Sequence, residues 1–140
     1  MSLSYYAGIV TTPSNPHQNV NQPGLSAYYT DLTTSTTPQV LWSMVVPRGK
    51  AISVRGIGTS IKSDHADGIG VSFFTTAVNN DSNTAQVINN TYETISSGTV
   101  TLTFTIVATE DNINMLVCTL TTAPVGTYSW RFSYQVQTSP

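Results

Sequence analysis

The densest grouping of ionisable side chains in this chain is Asp64-His65-Ala66-Asp67-Gly68. Carboxylates beside an imidazole could ligate Ca²⁺ through oxygen or take part in acid–base chemistry. A calcium hand requires a glutamate at the twelfth loop position, and Thr75 stands there instead. Asp67-Gly68 is a strong turn dipeptide between apolar runs, so the segment reads as a solvated hairpin connection. No metal ligand set is assigned.

Hydrolysis needs a nucleophile, a base and a group that orients the base. His17 and His65 are the only imidazoles; neither is flanked by a nucleophile motif, and the chain has no Gly-x-Ser-x-Gly elbow. A glycosidase needs paired carboxylates about 5–9 Å apart. Glu93 and Glu110 are the only glutamates, and the aspartates lie mainly in turn clusters. Gly56-Ile57-Gly58 lacks the third glycine and the Lys-Ser/Thr pair of a phosphate loop and reads as a bulge or strand bend. Cys118 stands alone in Met115-Leu116-Val117-Cys118, which excludes an intramolecular disulfide and reads as a buried small hydrophobe. Asn80-Asp81-Ser82 and Asn89-Asn90-Thr91 match the glycosylation sequon. No catalytic residue and no cofactor are assigned, and an enzyme is not expected.

The composition explains why chemistry is scarce. Asp, Glu, Lys and Arg together make up 9% of the 140 residues, against roughly 25% in ordinary domains. Uncharged polar groups replace them: 23 Thr, 16 Ser, 10 Asn and 6 Gln. The formal net charge is −2, and Arg48, Lys50, Arg55, Lys62 and Arg131 form no stripe. Recognition of nucleic acid depends on clustered cations and is therefore not expected. No apolar run approaches the roughly 18 residues of a membrane helix, and Met1-Ser2-Leu3-Ser4-Tyr5-Tyr6 lacks the features of a signal peptide. Synthesis in a cytoplasm, with no membrane partner, is the expectation.

The elements that must carry these residues show a period of two. Thr99 to Ile106 places Val100, Leu102, Phe104 and Ile106 on one face and threonines on the other. Thr127 to Val136 likewise aligns Tyr128, Trp130, Phe132, Tyr134 and Val136. Further strands are predicted at Val40 to Val46, Ala51 to Ile61, Ile69 to Val78, Ala85 to Ile88, Tyr92 to Ile95 and Ile113 to Leu120, with turn clusters between them. Val40 to Val46 is apolar on both faces around Trp42, which suits a central strand or one covered by a second subunit. The fold class is all-β, an antiparallel sandwich or jelly roll spanning residues 39–140. Residues 1–38, punctuated by Pro13, Pro16, Pro23 and Pro38, read as an extended arm with short strands at Ala7 to Val10 and Leu25 to Tyr29. Its Tyr5, Tyr6, Tyr28 and Tyr29 favour a covered position over free solution.

The Thr/Ser/Asn-rich arm, the block Leu41 to Val54 with its Pro47-Arg48-Gly49 turn, and the ending Gly126 to Val136 together resemble small structural proteins of bacteriophages and other viruses. These include head decoration proteins, head fibres and tail-fibre tips, and the likeness spans about residues 39–137. The resemblance implies a jelly-roll domain, a homotrimer and a place in the virion, and it transfers no catalytic residue. The expectation is a non-enzymatic virion protein that decorates or extends a capsid, with capsid or tail proteins of the particle as further partners. The alternative is a carbohydrate- or receptor-binding module at a tail-fibre tip, recognising a host glycan with Tyr92, Tyr128 and Trp130 as its aromatic reserve. For Trp130 the alternation with Tyr128, Phe132 and Tyr134 also supports a place in the core.

Overall fold

The computed structural model describes Gln18–Asn19 and residues 25–140. Among the described residues nine strands follow in chain order: β1 (Gln18–Asn19), β2 (Leu25–Thr34), β3 (Gln39–Val45), β4 (Lys50–Lys62), β5 (Gly68–Asn79), β6 (Ala85–Ser96), β7 (Thr101–Ala108), β8 (Asn114–Thr122) and β9 (Tyr128–Thr138). All pairings are antiparallel, in two sheets ordered β1-β2-β9-β4-β5-β6 and β3-β8-β7. The chain is an all-β sandwich, and no helix occurs among the described residues. Within the larger sheet β4, β5 and β6 form a meander.

β9 fills the middle of the larger sheet because its alternation is the strongest in the chain. Tyr128, Trp130, Phe132, Tyr134 and Val136 are buried, while Ser129, Arg131, Ser133 and Gln135 face outward. Each ring covered contributes on the order of 150–250 Å² at about 25 cal/mol per Å², an upper bound set by the unfolded reference. Room for the rings comes from β4, where Gly58 lies opposite Phe132 and Gly56 opposite Tyr134. A Cβ at Gly58 would lie 2.3 Å from Phe132 Cε1, and one at Gly56 would lie 2.7 Å from Phe73 Cζ. Gly56-Ile57-Gly58 is therefore neither bulge nor bend; β4 runs through it in unbroken register, and the absent side chains admit aromatic rings. From the smaller sheet Trp42 stacks on Tyr134 at 5.6 Å and 22° and packs on Phe73 and Phe104.

β2 extends the short strand expected at Leu25 to Tyr29 as far as Thr34. Leu25–Thr34 pairs with β9 across its whole length, and Trp130 Nε1 donates a buried 2.9 Å hydrogen bond to Thr34 Oγ1. The domain thus includes residues that the proline pattern assigned to the arm, because β9 presents an edge on that side which only a further strand can satisfy. The expected strand at Ala7 to Val10, the tyrosines Tyr5 and Tyr6, and His17 lie outside the described residues. β3 lies at an edge of the smaller sheet rather than its centre, yet Leu41, Trp42 and Met44 are all fully buried. The two predicted strands at Ala85 to Ile88 and Tyr92 to Ile95 are one strand, β6, interrupted by a bulge at Ile88, where the register passes from Thr76↔Asn89 to Ala77↔Val87. Cys118 is buried, as its apolar block predicts, and burial pushes its thiol pKa up.

Gly58→Ala should lower stability by about 1–3 kcal/mol in urea unfolding, because the added methyl overlaps the Phe132 ring. Gly70→Ala, where a Cβ would meet nothing within 4 Å, should be neutral or stabilising by about 0.5–1 kcal/mol. Truncation before Leu25 should leave β2 in place, whereas truncation through Pro38 should uncover β9 and lower the melting temperature, read by circular dichroism.

Candidate functional site: the outer face of the larger sheet

Six strands face three, so the outer surface of the larger sheet is the broadest side of the molecule. Register sets its rows across β2, β9, β4, β5 and β6. One row reads Asp31, Arg131, Thr59, Gly70, Ile95, and the next Tyr29, Ser133, Ile57, Ser72, Glu93. A third brings Gln135, Arg55, Phe74 and Thr91 together.

The cations on this face are tied to neighbours. Arg131 donates to Asp31 through Nε at 3.0 Å and Nη2 at 3.4 Å, and its Cζ lies 5.1 Å from the Tyr29 ring centroid. The Asp31 hydrogen bond and charge hold the Arg131 pKa above its ordinary value. Tyr29 Oη in turn donates to Asp31 at 3.3 Å. Arg55 lies 5.3 Å over Phe74. Such stacks are worth about 0.5–1 kcal/mol at exposed sites, and they cover ring faces that a sugar would otherwise stack upon. Two shallow depressions indent the face. One of about 690 Å³ lies among Asp31, Thr59, Ile61, Ser129 and Arg131, and one of about 630 Å³ among Arg55, Ile57, Phe74, Glu93 and Gln135.

Among the described residues the predicted chemical groups do not converge. His65 is exposed in the β4–β5 turn at φ 62°, with its backbone N–H donating to Lys62 O at 2.7 Å. Asp64 accepts from Ala66 N at 2.9 Å, and Asp67 accepts from Gly68 N and the Ser97 hydroxyl. The Ser97 hydroxyl, then the Gly68 N–H, hold the Asp67 carboxyl below the usual carboxylate range. Asp64 thus serves its own turn, whereas Asp67 also ties that turn to Ser97 in the β6–β7 connection. Glu93 stands on β6, whereas Glu110 lies in the β7–β8 turn. Among the described residues no group of three or more His, Cys, Asp or Glu side chains is placed to hold a metal. Of the rings considered for a glycan, Tyr128 and Trp130 are buried, and Tyr92 is half-exposed with its ring 6.4 Å from Phe104. The period-two pattern had already offered the core as the place for Trp130.

One polar cluster went unrecognised in the sequence. Asparagines in separate turns interlock at the end of the sandwich: Asn79 Nδ2 donates to Val46 O at 2.9 Å and Asn83 Oδ1 at 2.8 Å. Asn114 Nδ2 donates to Asn83 O and Oδ1 at 2.9 and 3.0 Å, and Asn83 Nδ2 donates to Asn112 O at 2.9 Å. Asn83 and Asn112 both sit at φ 61°, a conformation asparagine tolerates better than most residues. The turns after β3, β5 and β7 are thereby joined, and Arg48 Nε adds a bond to Asp81 O. The signal in the sequence was only turn-forming composition, which says nothing about which turns meet.

No family model matches the chain, and no curated protein matches it. Among solved structures it is similar to the tailspike protein of Acinetobacter baumannii phage AM24, with 7% identity, a TM-score of 0.40, and 81% of this chain and 26% of that chain covered. It is also similar to the Acinetobacter phage vB_ApiP_P1 tailspike protein, with 15% identity and a TM-score of 0.31, covering 91% of this chain and 24% of that one. The chain thus spans about a quarter of the length of the tailspikes it matches.

Asn83→Ala should destabilise by about 2–4 kcal/mol, from lost hydrogen bonds and the left-handed backbone. Asn83→Gly keeps the backbone geometry and should cost about 1 kcal/mol less than the alanine variant in urea unfolding.

Proposed function

We propose that this chain is a non-enzymatic structural module of a phage particle, which packs by shape against copies of itself and neighbouring proteins of the particle. The observation that carries the reading is the outer face of the larger sheet. Ile57, Ile61 and Ile95 are exposed there among serine and threonine, while the Arg131 charge is paired with Asp31. Arg55 and Glu93 are further charges on the face, and apolar side chains surrounded by polar and charged neighbours suit a protein interface with an apolar core and a polar rim. The dispersal of His65, Glu93, Glu110 and the turn aspartates supports a role without bond-breaking. The Thr/Ser/Asn-rich arm and the blocks around Trp42 and Trp130, which resemble virion proteins, supply the particle in the proposal. Glycan recognition keeps only Tyr92 of its three rings at the surface.

The test is density-gradient fractionation of particles from the strain that encodes the chain, with antibody detection, alongside a glycan array with the purified protein. The chain should co-sediment with intact particles, and the array should stay blank at millimolar sugar. Its complete absence from particles, or release of saccharide from a glycan, overturns the reading.

A further inference from the structure

The two rims of the larger sheet differ. At one, β1 pairs antiparallel with Ala27 and Ser26 of β2, so the chain ahead of Leu25 already joins the sheet as a strand. At the other, β6 has no described strand beyond it. Half of the backbone N–H and C=O groups of such an edge point outward, which makes it a template for a further strand. β6 offers 12 residues, against 7 in β3 and 8 in β7 at the edges of the smaller sheet. It also exposes Ile88, Tyr92 and Ile95, whereas β3 exposes only Val40 and β7 only Val107 among large apolar side chains. Edges that stay single usually carry lysine, proline or a bulge. β6 has neither lysine nor proline, and its bulge at Ile88 leaves residues 89–96 in regular register.

The sequence supplies a strand for this edge. Residues 2–12 have no proline and no charged side chain, include Tyr5, Tyr6, Ile9 and Val10, and contain the strand expected at Ala7 to Val10. Pro13 and Pro16 separate them from β1. Extending the Gln18↔Ala27 register would set Pro16 against Tyr29 and Pro13 against Leu32. The two prolines stand an odd number of positions apart, so one of them would face β2 without an N–H to donate. In the same register residue 11 would meet Thr34, the last of β2, and residues 5–10 would run past its end. The β6 of the same copy is out of reach as well. A strand added beyond β6 lies six spacings from β1, about 29 Å at roughly 4.8 Å each. From Thr12 to Gln18 the chain spans at most about 22 Å.

We infer that residues 5–12 of one copy add as a strand to the outer side of residues 89–96 on β6 of a second copy. Main-chain hydrogen bonds give such a contact its affinity, and exposed side chains of the edge give it contacts to cover. Tyr5, Tyr6, Ile9 and Val10 meet Tyr92 and Ile95, which are otherwise open to water. The electrostatics are compatible. Glu93 is the one charge on β6, and it projects from the face of the sheet opposite Ser72, so an added strand leaves it in solvent. The donating segment leaves at the β1 rim and the accepting edge lies at the opposite rim, which makes the contact head to tail. Contacts of that kind close as rings when successive rotations complete a turn. The homotrimer implied by the virion resemblance is one such ring. This inference rests on the self-packing part of the proposed function and names its edge and its segment.

Sedimentation equilibrium and amide hydrogen exchange of the full chain test it. The wild type should self-associate reversibly. Ile9→Pro and Val10→Pro remove ladder donors on opposite sides of the added strand, so whichever side faces β6, one of the two should weaken association by at least about tenfold, equivalent to about 1.4 kcal/mol. Both should keep the melting temperature of the wild-type monomer, because the substituted residues precede every described strand. Amides of residues 89–96 should exchange more slowly in the assembled wild type than in the weakened variant, and dilution should remove the difference. A monomer at every concentration, or assembly that neither variant weakens, overturns the proposal. Slowed exchange on β3, β7 or residues 28–34 in place of β6 also overturns it, as does β6 protection that persists in the monomer. Particle co-sedimentation reads the wider function separately, so a chain that co-sediments without protecting β6 refutes this contact alone.

Discussion

The fit of the Phe132 and Tyr134 rings over Gly58 and Gly56 is the contact on which the rest of the sandwich depends. Without side chains on that stretch of β4, two large rings occupy adjacent rows at normal strand spacing. Tyr134 then supplies the flat surface on which Trp42 of the smaller sheet stacks, and Phe73 and Phe104 close around Trp42. Around this aromatic assembly Leu41, Met44, Leu116 and Leu120 of the smaller sheet and Val54, Val71 and Val136 of the larger complete one shared core. Burial also raises the Tyr134 pKa well above its ordinary value, in keeping with an apolar surrounding.

Placing β9 at the centre has a consequence for shape. It needs a strand on each side, so β2 is drawn in beside it and the larger sheet widens to six strands against three. The inner face is covered, and the outer face is left broad and open. With so few ions, that face presents contour and hydroxyl groups more than charge. The few charges present are spent locally: Arg131 on Asp31 and Tyr29, Arg55 on Phe74, Asp67 on Ser97 and Gly68. Long-range electrostatic steering is weak under such an arrangement.

Much of this was legible from residue order because a strand's period is short. Alternation from Leu102 to Ile106 and from Tyr128 to Val136 assigned both strands and their buried faces, and Asp67-Gly68 marked a turn between β4 and β5. Between Pro23 and Pro38 the expected strand at Leu25 to Tyr29 runs on to Thr34, because its length and partner are decided by β9, about a hundred residues later. The break between Ile88 and Tyr92 looked like two strands, since one extra residue in a bulge reverses the alternation without ending the ladder.

The sequence by itself determined the all-β class, the positions of most strands, the neutral hydroxyl-rich surface and the burial of Cys118 and Trp130, because each follows from local alternation and composition. Only the tertiary structure decided that Gly56 and Gly58 seat rings, that asparagines around the β5–β6 and β7–β8 turns lock together and hold the Val46 carbonyl after β3, and that Gly70 stands open beside Ile95. These depend on strand register and sheet order, which are set by contacts between residues far apart in the chain. A glycine looks the same in sequence whether it faces a ring or solvent, and only its neighbours across the ladder distinguish the two.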